Sequence, residues 1–75
     1  MSLKPLPYRE VKRRLEEAGF SEVSQKGGHV KFAKQTGEGL RTTIVPFHHE
    51  ISVGTLRSIL RQAGLSSDVF LRDSR

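Results

Sequence analysis

The 75-residue sequence predicts an α+β two-layer sandwich: helix, three antiparallel strands, helix, and a short C-terminal helical turn. Three observations carry this. Apolar residues recur at helical spacing at Tyr8, Val11, Leu15 and Ala18, and again at Leu56, Ile59, Leu60 and Ala63. Between these stretches the apolar period drops to two, the period of half-buried strands. Short glycine-containing turns separate the alternating segments. Neighbouring strands should therefore pair as a meander, with both helices on one face and the other face open.

The elements follow in order. Residues 1–6 read as an irregular lead-in. Pro7 suits the first helical turn, where its missing N–H would be unpaired anyway. The first helix should run from about residue 7 to 18 and stop at Gly19. Strands are expected at about 21–26, 29–34 and 40–46. In the second, Val30 and Phe32 alternate with His29, Lys31 and Ala33. In the third, Leu40, Thr42 and Ile44 alternate with Arg41, Thr43 and Val45. The first strand has the weakest pattern, because Glu22-Val23-Ser24-Gln25 holds one strong strand former. Lys26-Gly27-Gly28 and Gln35-Thr36-Gly37-Glu38-Gly39 supply the reversals. Ser52 can cap the second helix and Gly64 end it, while Ser66-Ser67-Asp68 opens a last turn carrying Val69, Phe70 and Leu71.

A chain of this length is one domain, residues 1–75, with a thin core: about 60–65% of the unfolded surface is buried. Cysteine is absent, which excludes disulfide staples and thiolate metal sites. No apolar run nears the roughly 18 residues of a membrane span, and Met1-Ser2-Leu3-Lys4 is too short and polar to open a secretory signal. A cytoplasmic protein without a membrane partner is expected. Thirteen Lys and Arg against eight Asp and Glu give a net charge of +5 and a pI near 10.3. Such a charge favours polyanions, although it also lies within the range that merely keeps a small domain soluble.

Three histidines are the side chains able to exchange protons near neutral pH. His29 is the most informative, since it follows Gly27-Gly28 at the head of a strand. If Val30 and Phe32 face the helices, His29 and Lys31 face outward, with Lys26 just across the turn. The two glycines would let a phosphate backbone approach the imidazole. The ordinary alternative is a surface histidine at a hairpin. His48-His49 follow Pro46-Phe47 ahead of the second helix and read first as solvated loop residues, with a substrate contact at the helix N-terminus as the sharper alternative. Adjacent side chains diverge in extended backbone, and there is no H-E-x-x-H pattern, so no metal site and no cofactor are expected. Glu50 should favour the second helix's dipole rather than act as a base. Arg57 and Arg61, four apart on one helix face without acidic neighbours, form the better phosphate or acidic-partner candidate. Arg9, Lys12 and Arg13 crowd the first helix but are diluted by Glu16-Glu17.

Tyr8-Arg9-Glu10-Val11, Leu15-Glu16-Glu17-Ala18-Gly19-Phe20 and Gln25-Lys26-Gly27-Gly28-His29 together resemble the HicA family of toxins. The similarity continues through Val45-Pro46-Phe47-His48 and the block from Gly54-Thr55-Leu56-Arg57 to Ala63-Gly64-Leu65. It implies a double-stranded-RNA-binding-domain-like fold and an mRNA interferase, the toxin of a type II toxin–antitoxin pair with a HicB-like antitoxin. The family's essential histidine falls on His29. Gly28 stands where many relatives carry serine, so no role for a hydroxyl is carried over.

The implied activity is metal-independent cleavage of mRNA, with the 2′-hydroxyl as nucleophile and His29 as general base or acid. Lys26 and Lys31 could stabilise the phosphorane; Lys31, His48 and water are all open as the second proton-transfer group. A non-catalytic RNA-binding module on the same fold is the alternative, and a small protein-interaction domain a third.

Overall fold

The computed structural model describes residues 2–72; Met1, where the expected lead-in begins, lies outside them. The chain runs β1 (Leu6–Pro7), α1 (Tyr8–Glu17), β2 (Ser21–Lys26), β3 (His29–Thr36), β4 (Gly39–Pro46), β5 (Glu50–Ile51), α2 (Val53–Ala63) and α3 (Ser67–Leu71). β2, β3 and β4 form an antiparallel sheet in that order, with β3 central. The predicted α+β sandwich is therefore the observed one.

The lead-in is not wholly irregular. Leu6 pairs with Ile51 and Pro7 with Glu50, so β1 and β5 make a two-stranded antiparallel patch. Two residues are too few for any alternation to show in the sequence. Pro7 is the N-cap of α1 in extended conformation rather than a member of its first turn, and Ala18 is the C-cap. Glu50 lies in β5, two residues ahead of the α2 cap, and the first turn of α2 holds no acidic residue.

The caps of α2 and α3 follow the sequence. Ser52 accepts a hydrogen bond from the Thr55 amide, and Ser66 accepts one from the Val69 amide. Gly64 closes α2 at φ 72°, where a side chain would strain the backbone and the Arg41 guanidinium would have to shift to admit it. The β3–β4 turn is tighter than expected, because Thr36 pairs with Gly39. The Thr36 hydroxyl donates to the Gly39 carbonyl at 2.7 Å and accepts from the Glu38 amide at 3.1 Å.

One core joins the layers. Val11 and Leu15 of α1, Phe20, Val30 and Phe32 of β3, Val45 of β4, Ile51, and Leu56, Ile59, Leu60 and Ala63 of α2 are buried, with Phe70 of α3. Each fully buried aliphatic or aromatic side chain contributes about 1.5–3 kcal/mol. Along β4 the inward residues are Thr43 and Val45, whereas Leu40 is 66% exposed and Ile44 is also exposed on the open face. Thr43 tolerates the core because its hydroxyl donates to the Ile59 carbonyl at 3.0 Å. Beside it, the Gln62 amide oxygen accepts from the Ile44 amide at 2.9 Å, so a side chain of α2 occupies a donor on the edge strand.

A candidate nucleic-acid interface around His29

β2 and β3 are joined by a two-residue turn, with Lys26 paired to His29. Gly27 has φ 59° and Gly28 does not share the left-handed region, the φ signs of a type II′ hairpin turn. Nothing lies within 4 Å of a Cβ built on either glycine, so the backbone here is open to a ligand. The next residue, His29, starts the central strand and pairs with Pro46 on its other side.

Alternation then sets the face. Val30 and Phe32 are buried against the helices, while His29 and Lys31 are exposed. Cross-strand partners share a face, so Lys26, Pro46, Ser24 and Ile44 border the imidazole and Lys31 on the open side. Val23, large and exposed, falls at a register shift between Glu22 and Ser24.

The cations divide into paired and unpaired sets. Lys12 bridges to Glu22 at 3.0 Å; Arg13 binds Glu10 and also Glu17, at 2.9 Å; Arg14 Nε stands 2.9 Å from Glu10. The Arg13 hydrogen bond holds the Glu10 carboxyl below its usual range. Burial, followed by the charge of Glu22, pushes the Tyr8 phenol up. Among the described residues, the four candidate cations Lys26, Lys31, Arg57 and Arg61 make no salt bridge, and neither do Lys4, Arg9, Lys34 and Arg41.

The four candidate cations do not form one patch. Lys26, Gly27, Gly28, His29 and Lys31 are gathered at the hairpin and open face. Arg57 and Arg61 are exposed on α2, which packs against the other face of the sheet. This is the arrangement expected when both helices pack on one face of the sheet and His29 and Lys31 project from the other.

The loop that carries His48 and His49 lies beside the hairpin. The Phe47 amide donates to the Gly28 carbonyl at 2.7 Å, and the Phe47 ring meets Tyr8 edge-on. With His48 and His49 these residues line a cleft. The one sequence signal for it was an aromatic residue directly before two histidines. Among the described residues no three His, Cys, Asp or Glu side chains group as a metal-ligand set, and no helix is long and apolar enough to cross a membrane.

A helix, a three-stranded antiparallel sheet and helices packed on one face of it make the double-stranded-RNA-binding-domain type of fold. A family model described as the HicA toxin of bacterial toxin–antitoxin systems matches residues 8–65, most of the chain. The protein belongs to the HicA toxin family: it is the toxin of a toxin–antitoxin pair, and an antitoxin is its partner. No curated protein matches the chain.

Proposed function

We propose that the toxin acts in the cytoplasm as a metal-independent endoribonuclease that cuts mRNA at His29 and is held inactive by a HicB-like antitoxin. The observation that carries this reading is the placement of His29. It is solvent-facing at the head of the central strand, between Lys26 and Pro46 and two residues from Lys31, beside a turn without side chains.

RNA brings its own nucleophile. The 2′-oxygen attacks the adjacent phosphorus, its proton departs, and the bond to the 5′-oxygen breaks as that oxygen gains a proton. His29 moves one of these two protons, and the other falls to Lys31, His48 or water. A positioned acid or base contributes about 10²–10⁴ in rate. Lys26 and Lys31 offset the charge that grows on the phosphorane oxygens, and the open backbone at Gly27 and Gly28 admits the sugar–phosphate chain.

One deoxy substitution tests the route. An oligoribonucleotide lacking only the 2′-hydroxyl at the cleaved position should resist, while EDTA leaves cleavage of the unmodified strand unchanged. Products should carry a 2′,3′-cyclic phosphate and a free 5′-hydroxyl. Cleavage of DNA, or loss of activity on chelation, would contradict the mechanism. Binding without any cleavage would favour a non-catalytic RNA-binding module.

A further inference from the structure

The loop after β4 builds a cleft against the start of α1. Pro7, Tyr8, Arg9, Phe47, His48 and His49 line a volume of about 340 Å³, within the usual size of small-ligand clefts. Its floor is aromatic: Tyr8 and Phe47 meet with ring centroids 4.8 Å apart and planes at 90°. Perpendicular packing steadies the Phe47 ring from one side only, and Phe47 remains 57% exposed. Around this ring stand hydrogen-bonding groups of neutral or positive character, Arg9, His48 and His49, all exposed, and among the described residues no carboxylate lines the cleft.

Position gives the cleft its meaning. The 2.7 Å bond from the Phe47 amide to the Gly28 carbonyl fixes it one residue from the hairpin that presents His29. The ring itself packs on Tyr8, on the α1 side of the sheet, so a strand whose phosphate reaches His29 on the open face would pass the Gly27–Gly28 turn to bring a neighbouring nucleotide to Phe47. A flat, weakly polar surface edged by donors and a cation suits a nucleobase, which stacks through its face and hydrogen-bonds through its edge. A protein partner's apolar side chain would gain nothing from the surrounding arginine and imidazoles.

We propose that this cleft seats one unstacked nucleobase of single-stranded RNA on the Phe47 ring, next to the phosphate held at His29. The ligand class rests on the ribonuclease reading above. Bases inside an A-form duplex are stacked on both sides and cannot enter, so the cleft selects unpaired RNA at the point of attack. Arg9, His48 and His49 then face the edge of the seated base or its flanking phosphate and bias which base is taken.

The test separates binding from cleavage. Short 2′-O-methyl oligonucleotides, which cannot supply the attacking hydroxyl, carry 2-aminopurine at each position in turn and are titrated with wild type, Phe47→Ala and Phe47→Tyr. Melting temperatures are measured alongside. The proposal expects 2-aminopurine quenching by wild type at one position, about 5- to 150-fold weaker binding by Phe47→Ala with the quenching lost, and near-normal behaviour of Phe47→Tyr. Unchanged affinity of a folded Phe47→Ala variant overturns it, as does an equal dependence on Phe47 for duplex RNA. If Phe47→Ala keeps RNA binding but loses the antitoxin, the proposal is overturned and the ring belongs to the protein interface. Stacking at Phe47 in a protein that cuts no RNA would sink the catalytic reading alone. A wild type that binds no oligonucleotide sinks both.

Discussion

The Phe47 amide donates to the Gly28 carbonyl at 2.7 Å, and this bond fixes how His29 meets β4. A ladder bond on that side of the pair makes His29–Pro46 a non-hydrogen-bonded pair, the closer of the two antiparallel arrangements. Pro46 therefore gives up no ladder bond to β3 through its missing N–H, and its ring sits near the imidazole on the open face. The turn that carries His29 and the loop that carries Phe47 and His48 are thereby held together as one unit.

The two turn glycines should respond differently to the same substitution. Gly27 at φ 59° occupies a conformation that costs an L-residue roughly 1–2 kcal/mol, so Gly27→Ala should destabilise by about that amount. Gly28 has neither a left-handed φ nor a neighbour within 4 Å of a Cβ. Gly28→Ala and Gly28→Ser should stay within about 0.5 kcal/mol of wild type. Urea unfolding of the three variants measures this; equal losses at both positions would show that the turn is not as described.

Acid should reveal the Glu10–Arg13 pair. Arg13's hydrogen bond lowers the Glu10 carboxyl, and the charges of Arg13 and Arg14 add to it. A carboxyl lowered in the folded state contributes stability that is present above its unfolded value of about 4.3 and lost as pH falls through the folded value. Glu10→Gln should therefore melt lower than wild type at pH 7, and the gap should close below pH 4. A gap that persists unchanged in acid would assign the effect to packing instead.

Much of this was legible in the sequence, because helix caps, turn glycines and strand alternation are local signals. Ser52, Gly64 and Ser66 end or start helices as their chemistry dictates, and His29 faces outward as its alternation with Val30 and Phe32 requires. Other features were hidden for physical reasons. β1 and β5 are two residues each and owe their form to each other. On β4 the polar Thr43 is buried and Leu40 exposed, a reversal that depends on a hydroxyl meeting a carbonyl of α2, sixteen residues away. The separation of Arg57 and Arg61 from the hairpin follows from both helices packing on the face opposite His29, as expected, whereas the meeting of Tyr8 with Phe47 arises only once the layers are assembled.

That separation sharpens what the antitoxin should do. If it blocks RNA by covering the hairpin, Lys31→Glu should slow its association markedly and Arg57→Glu, on the opposite layer, much less. Raising salt should slow the wild type, since screening acts over about 8 Å at physiological ionic strength. Association rates against salt, with RNA as competitor, measure this. Equal effects of both reversals, or simultaneous binding of antitoxin and RNA without mutual effect, would point to inhibition away from His29.

The most direct measurement compares RNA cleavage by wild type and His29→Ala, with the melting temperature of each. His29 is exposed and its truncation opens no core, so stability should change by no more than about 0.5 kcal/mol. Cleavage should fall at least about 10²-fold, and growth inhibition on induction should disappear. A folded His29→Ala protein that still cuts RNA and still arrests growth would contradict the account.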